Sequence, residues 1–233
     1  MSTPTEVVPD PAGTGSEIVW AIVVAGGSGN RFGRPKQFLD LGGRAVVERS
    51  VACARGVASK VVLVLPAGQS AGAGAPDPTF GADVLVDGGA SRAASVRAGL
   101  AAVSAEATVV VVHDAARPLA SPTLFVEVVA AVTGRSGADG AIPVLPVTDT
   151  LKRVAGRRVI GTVDRDDLVT VQTPQAFRAG VLRRAHQANA EATDDAALLE
   201  SIGATVRTVP GDPRNLKLTV PQDLVLAEIL VGS

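Results

Sequence analysis

Ile18-Val19-Trp20-Ala21-Ile22-Val23-Val24-Ala25-Gly26-Gly27-Ser28-Gly29-Asn30-Arg31-Phe32-Gly33-Arg34-Pro35-Lys36-Gln37 is the stretch on which the reading of this chain turns. Its first seven residues form an unbroken apolar run, the pattern of a strand buried on both faces. The run empties into a loop where Gly26, Gly27, Gly29 and Gly33 allow successive backbone N–H groups to turn toward one concavity, a shape that suits an anion. Arg31, Arg34 and Lys36 make that anion a highly charged one. A nucleoside triphosphate meets the description, and an ordinary strand-to-helix turn is the plainer alternative.

Two commoner phosphate loops do not fit. A P-loop lysine is preceded by glycine and followed by Ser or Thr, whereas Lys36 stands between Pro35 and Gln37. A dinucleotide loop needs a third glycine where Phe32 stands, and an acid at the end of the next strand. That strand, Lys60-Val61-Val62-Leu63-Val64-Leu65, runs into Pro66 without a carboxylate.

Working outward, apolar runs at 18–24, 60–65, 83–86 and 108–112 alternate with helical patterns at 45–56 and 91–103. A further helix is expected over 122–133, where Leu124, Val128 and Val132 recur at helical spacing behind an N-cap and first-turn proline, Ser121-Pro122. Helices are expected again at 178–190 and 194–202, a strand at 204–209, and a last helix from Pro221. This alternation predicts an α/β domain, a mostly parallel sheet covered by helices on both faces, with ligands beyond the carboxyl ends of the strands. Residues 147–171 break the pattern with short polar β segments at 150–154, 157–160 and 168–171. These are expected to form a projecting β arm that packs on a second subunit; a solvated hairpin is the alternative. Residues 1–16, rich in Pro, Gly, Ser and Thr, read as a disordered leader ahead of a single domain at 17–233.

Composition removes several functional classes. A net charge of −1 gives no field to recruit nucleic acid, and without tyrosine there is little to stack single-stranded bases on. No apolar run reaches membrane-spanning length. Cys53 is the only cysteine, so no disulfide can form within the chain and a cytoplasmic setting is expected. The chain has 18 Arg but only 4 Lys, namely Lys36, Lys60, Lys152 and Lys217, and a compact ammonium is not equivalent to a guanidinium fork.

Three further polar clusters follow strands or precede the last helix. In Asp87-Gly88-Gly89-Ala90-Ser91-Arg92-Ala93-Ala94-Ser95, small residues permit close backbone approach and Ser95 can bond a base edge; a capped helix start is the simpler reading. In His113-Asp114-Ala115-Ala116-Arg117-Pro118, Asp114 can hold Mg²⁺ directly or through water and Arg117 can fork onto a phosphate, unless the two merely pair to close the loop. His113 has no evident partner and reads as structural. Asn215-Leu216-Lys217-Leu218-Thr219 places a lysine before the last helix.

Taken with Asp-Thr-Leu-Lys (149–152), Thr-Val-Asp-Arg (162–165), Gln-Thr-Pro-Gln-Ala-Phe (172–177) and Thr-Asp-Asp-Ala (193–196), these motifs resemble, in order, the 2-C-methyl-D-erythritol 4-phosphate cytidylyltransferase family over residues 18–230. The resemblance implies a Rossmann-like nucleotidyltransferase domain that transfers CMP from CTP to 2-C-methyl-D-erythritol 4-phosphate with Mg²⁺, releasing pyrophosphate. It implies catalytic roles for Arg31, Lys36 and Lys217. It implies CTP contacts from Ala25, Gly26, Gly27, Ser28, Gly29, Gly89, Ala90, Arg92 and Ser95. Substrate contacts would come from Asp114, Arg117, Thr150, Arg165, Thr173 and Thr193, with Asp114 also serving the metal. Thr150 and Arg165 would act on the neighbouring subunit's site in a homodimer joined through 147–171. The chain departs from the family pattern at Ala90, where an acidic residue is common, so a carboxylate contact to the cytosine amine is not available there. The related ribitol-5-phosphate cytidylyltransferases share most of these motifs. A nucleotide-binding module without turnover is a reading from a different class, opposed by the presence of Arg31, Lys36, Asp114 and Lys217 together.

Overall fold

A computed structural model describes residues 17–26, 32, 35–69, 79–134, 137–187 and 190–232. The expected leader, 1–16, lies outside the described residues, as do Gly27, Ser28, Gly29 and Arg31 of the glycine-rich loop.

The strands are β1 (Val19–Val24), β2 (Lys60–Leu65), β3 (Val84–Asp87), β4 (Val109–Asp114), β5 (Gly140–Pro146), β6 (Leu151–Ala155), β7 (Arg158–Val163), β8 (Val169–Val171), β9 (Gln175–Arg178) and β10 (Val206–Pro210). The helices are α1 (Val46–Arg55), α2 (Arg92–Ala101), α3 (Pro122–Thr133), α4 (Ala179–Gln187), α5 (Asp195–Ser201) and α6 (Pro221–Val231), with a single 3₁₀ turn at Lys36–Phe38. The main sheet runs β10-β5-β9-β4-β1-β2-β3, with β8 beside β5. β1, β2, β3 and β4 are parallel, and β10 is parallel to β5. β9 lies antiparallel between β4 and β5.

β5 and β9 are the two strands that hydropathy does not announce. β5 reads Gly-Ala-Ile-Pro-Val-Leu-Pro, and two prolines in seven residues argue against a sheet interior. Its carbonyls still serve the sheet, for example Pro143 accepting from the Gln172 N–H. β9 is only four residues long, and its direction reverses because the chain re-enters the sheet on its way back from the 147–171 excursion.

That excursion divides in two. β6 and β7 form a separate two-stranded sheet, exposed over most of its length, whereas β8 pairs antiparallel with β5 and joins the main sheet. Exposed Val154, Val159, Ile160, Leu168, Val169 and Val171 all fall between residues 154 and 171.

The period-two alternation of the central strands fills two cores at once. Ala21, Val23, Leu63, Val109 and Val111 face α1 and α3, where Val47, Val51, Phe125 and Val128 cover them. Ile22, Val62, Val64, Val110 and Val112 face α2, α4 and α5, meeting Val96, Leu100, Leu182 and Leu199. Each valine, leucine, isoleucine or phenylalanine among them contributes about 1.5–3 kcal/mol when fully buried, relative to exposure. α2 sits so close to the sheet that a Cβ on Gly99 would lie 2.6 Å from the Ile22 side chain. A third cluster of Phe32, Leu41, Val46, Leu218 and Ala227 ties the loop after β1 to α6 and to the segment preceding it.

The strand order reverses direction of growth at β1, with β2 on one side and β4 on the other. Helices leave the sheet on opposite faces at such a point, and a crevice opens beyond the carboxyl ends of the two central strands. Val24 and Asp114 face each other in register at that edge.

Candidate active site

A cavity of about 510 Å³ occupies this crevice. Val24, Ala25 and Gly26 enter it from the end of β1, Lys36 and Gln37 from the 3₁₀ turn, and Asp114, Ala115 and Ala116 from the end of β4. Gly89, Ala90, Ser91, Arg92 and Ser95 come from the start of α2, and Lys217 from the segment before α6.

Local chemistry sets the α2 edge. Ser91 caps the helix by accepting from the Ala94 N–H, and Ser95 donates back to the Ser91 carbonyl while accepting from the Gly89 N–H. A Cβ on Gly89 would stand 2.4 Å from that of Ala94, so the backbone can follow this path only with glycine there. Ala90 lines the cavity and brings no carboxylate to it.

Asp114 is the electrostatic centre. One carboxylate oxygen accepts from Arg92 Nε at 3.1 Å and the other from Lys217 Nζ at 2.7 Å. Burial works against ionisation, but the charges and hydrogen bonds of Arg92 and Lys217 outweigh it and hold the carboxyl well below the usual carboxylate range. Arg92 also donates through Nη1 to Asp195 at 2.8 Å, and Asp195 accepts from His186 Nε2 at 3.0 Å. Lys36 Nζ donates to the Leu218 carbonyl at 2.6 Å, so the same short segment fixes the surroundings of both lysines.

Behind Asp114 the hydrogen bonds run in one sense. His113 Nε2 lies 3.1 Å from the Arg117 carbonyl, which can only accept, so that nitrogen carries the hydrogen. Nδ1 then accepts from the Thr173 hydroxyl, whose oxygen accepts from the Asp114 N–H. Burial pushes His113 down to about 4, against the opposing pull of Asp114. Arg117 donates to the carbonyls of Asn215 and Val171, and Asn215 donates to the Thr173 carbonyl. His113, which lacked a partner in sequence, thus ties β4 to Thr173 and to the backbone of Arg117, whose own side chain reaches Asn215.

The structure gathers nine of the expected residues around the cavity: Ala25, Gly26, Lys36, Gly89, Ala90, Arg92, Ser95, Asp114 and Lys217. Thr173 and Arg117 are not among the cavity-lining residues; Thr173 accepts from the Asp114 N–H, and Arg117 donates through its two terminal nitrogens to backbone carbonyls. Thr150 lies beside the β6–β7 hairpin and is exposed, Arg165 bonds the Thr148 carbonyl beyond β7, and Thr193 is exposed before α5. Gln37 and Asp195 stand in motifs quoted from the sequence but were given no site role there. Gln37 lies next to the marked Lys36, and Asp195 reads locally as a favourable acid in a first helical turn.

Two buried donors in the cavity wall, Gln37 Nε2 and Arg92 Nη2, have no hydrogen-bond partner among the described residues. Neither atom is accessible from the cavity, whose lining instead sets two ammoniums and a guanidinium against one carboxylate, a balance that suits a ligand rich in negative charge. Residues 19–233 match the family model for 2-C-methyl-D-erythritol 4-phosphate cytidylyltransferase, IspD. The chain belongs to this family. A relative of that name from Rubrobacter xylanophilus is 45% identical over 221 residues, covering 91% of this chain and 94% of its own length. A bifunctional IspD/IspF enzyme from Clavibacter michiganensis is 45% identical over 98% of this chain and 58% of its own. The crystal structure of a family member from Thermus thermophilus superimposes with a TM-score of 0.75 at 39% identity, covering 91% of this chain and 98% of that one. Among the described residues no helix is long and apolar enough to cross a membrane.

The His113 arrangement has a measurable pH signature. Its folded-state value of about 4 lies below the ordinary 6.5, so the unfolded chain binds the extra proton and stability is lost as pH falls through that window. Urea unfolding should lose up to about 1.4 kcal/mol per pH unit between roughly pH 6.5 and 4. His113→Gln should unfold more readily at pH 7 but show a flatter profile in that window; an unchanged slope in the variant would assign it to other groups.

Proposed function

We propose that the protein transfers CMP from CTP to 2-C-methyl-D-erythritol 4-phosphate, releasing pyrophosphate. The observation that carries this reading is the excess of positive charge around the crevice beyond β1 and β4, with Lys36, Arg92 and Lys217 against Asp114, the single lining carboxylate among the described residues. A phosphate monoester is largely dianionic near neutral pH, since its second pKa is about 6. Its oxygen therefore attacks the α-phosphorus without a side-chain base. The new P–O bond forms as the bond to the β-phosphate bridging oxygen breaks, and the electron pair leaves with pyrophosphate. What the protein supplies is approach and charge.

Lys36 and Arg31 contact the triphosphate in this reading, and the loop amides of Gly26, Gly27, Ser28 and Gly29 wrap it. Lys217 serves the α-phosphate; an ammonium has three donors, so it can keep Asp114 while doing so. Gly89 and Ser95 face the base, and in the absence of a carboxylate at Ala90 backbone groups carry the reading of the cytosine amine. Asp114, Arg117, Thr173 and Thr193 lie on the polyol phosphate side.

A divalent cation fits the site in one respect. Asp114 is ionised, with lone pairs left beyond those used by Arg92 and Lys217, and Mg²⁺ commonly takes one or two carboxylates with substrate phosphate oxygens. No group of three or more His, Cys, Asp or Glu side chains converges on an ion among the described residues, so the nucleotide would complete its shell. Bound there, Mg²⁺ would offset charge on the triphosphate.

The segment 147–171 serves as a dimerisation arm in this reading, since its exposed apolar side chains are those a partner would cover. Thr150 and Arg165 would then reach the partner's acceptor phosphate. Residues 17–233 act as one nucleotidyltransferase domain behind a 1–16 leader, in a cytoplasmic enzyme.

Pyrophosphate release with CTP and Mg²⁺ should depend on methylerythritol 4-phosphate and not occur without an acceptor. Release only with ribitol 5-phosphate would reassign the acceptor, and silence with both in protein that binds CTP would leave a binding module. Lys36→Ala should lower kcat about 100-fold while changing KM for CTP less than about fivefold, as expected for a contact that tightens in the transition state. A normal kcat would reduce Lys36 to a wall residue. Mixed dimers of Lys36→Ala and Arg165→Ala subunits should regain activity above either parent; none in verified mixed dimers would remove the shared site.

A further inference from the structure

The Leu218–Thr219 peptide is held at both ends by charged side chains. Its carbonyl accepts from Lys36 Nζ at 2.6 Å, and its N–H donates to Asp223 Oδ2, also at 2.6 Å. The bond is trans, since the one cis peptide among the described residues is Thr173–Pro174. A trans peptide is planar with its C=O and N–H pointing opposite ways, so fixing one end sets the aim of the other. The peptide dipole has its positive end at the carboxylate and its negative end at the ammonium, and both charges favour this orientation.

Asp223 does more here than start a helix. It stands at the third position of α6, behind Val220, an N-cap residue whose side chain makes no capping bond. Accepting from the Val220 N–H at 2.8 Å is the usual reach-back of an acid at that position. The bond to Thr219 lies one residue further out, in the 215–219 stretch, which has no regular secondary structure. There Leu218 is anchored by its side chain, 0% exposed, and by its N–H on the Ala116 carbonyl at 2.8 Å. Neither anchor stops the next peptide plane from turning, because coupled rotation about Leu218 ψ and Thr219 φ leaves both α-carbons in place.

We propose that Asp223 is a positioning residue for Lys36: by holding the Thr219 N–H it aims the Leu218 carbonyl at the lysine and so sets where the ammonium stands in the cavity wall. The inference rests on reading the cavity as the CTP site and Lys36 as a triphosphate contact. Asp223 is not among the cavity-lining residues and acts through a single peptide group. Without its carboxylate the peptide plane turns, and Lys36 loses the carbonyl that orients it.

The test compares Asp223→Ala, which lacks the acceptor, with Asp223→Asn, which keeps one oxygen, all that the two N–H groups use. With only 4 lysines in the chain, competitive acetylation read by mass spectrometry can compare Lys36 with Lys60, which pairs with Asp83 away from the cavity. Steady-state constants are measured with methylerythritol 4-phosphate, and folding by thermal melts. Asp223→Ala should raise Lys36 acetylation about threefold relative to Lys60 and lower kcat about tenfold, the scale of effect of removing an outer partner that orients a functional group, with KM for CTP within about threefold. In a Lys36→Ala background the same substitution should change kcat by less than about twofold, because the two act as one unit. Asp223→Asn should stay within about twofold of wild type in both readouts. Unchanged acetylation or unchanged kcat in folded Asp223→Ala protein, an equal loss in Asp223→Asn, or the same loss in the Lys36→Ala background would overturn the role. Should Asp223→Ala not fold, Asp223→Ser, with a shorter polar side chain, takes its place under the same criteria. Wild-type protein that releases no pyrophosphate from CTP would remove the transferase reading, while acetylation, which needs no substrate, would still decide whether Asp223 holds Lys36.

Discussion

Asp114 is an ionised carboxylate with little access to water, and the surrounding structure is arranged to make that tolerable. An unpaired charge in such a place costs several kcal/mol, whereas a pair of well-aimed cations offsets the loss of hydration. Here the cations come from α2 and from the segment before α6, so satisfying one side chain of β4 draws together chain segments more than 100 residues apart. Its backbone is held as firmly, because the Asp114 N–H ends on the Thr173 hydroxyl and, through it, on His113. The carboxylate cannot move without disturbing β4, β9's lead-in segment and the 215–219 stretch together.

The same constraint explains why the cavity wall is electrically lopsided. Arg92, Lys36 and Lys217 line it, and Asp114 is the one carboxylate among the described lining residues. The excess of positive charge sits where a polyanionic molecule would offset it. Parallel strands fix the edges of this wall, and loops and helix starts supply its chemistry, which is the usual division of labour in open α/β sheets.

The legible part of the fold was that carried by hydropathy and capping. β1, β2 and β4 are unbroken apolar runs, and α3 announces itself through Ser121, Pro122 and the Leu124–Val128–Val132 spacing. β5 stayed hidden behind Pro143 and Pro146, and β9 behind its four-residue length, because neither has the pattern its position in the sheet requires. Lys36, Asp114 and Lys217 could be picked out as charged residues at strand and helix ends. The Arg92–Asp195–His186 relay could not, because hydrogen bonds between α2, α4 and α5 depend on packing that no local spacing encodes.

The 215–219 segment ties the site to the docking of one helix. It supplies the Lys217 cation, the Leu218 carbonyl that receives Lys36, and the Asn215 carbonyl that receives Arg117. α6, through Ala227, shares an apolar cluster with Leu218 and Phe32. Were α6 to peel away and take this segment with it, the sheet and its two cores would stand, and the crevice would keep its walls but lose its electrostatics, with Asp114 held by Arg92 alone. Local opening of one helix would then silence the site long before the fold itself gives way.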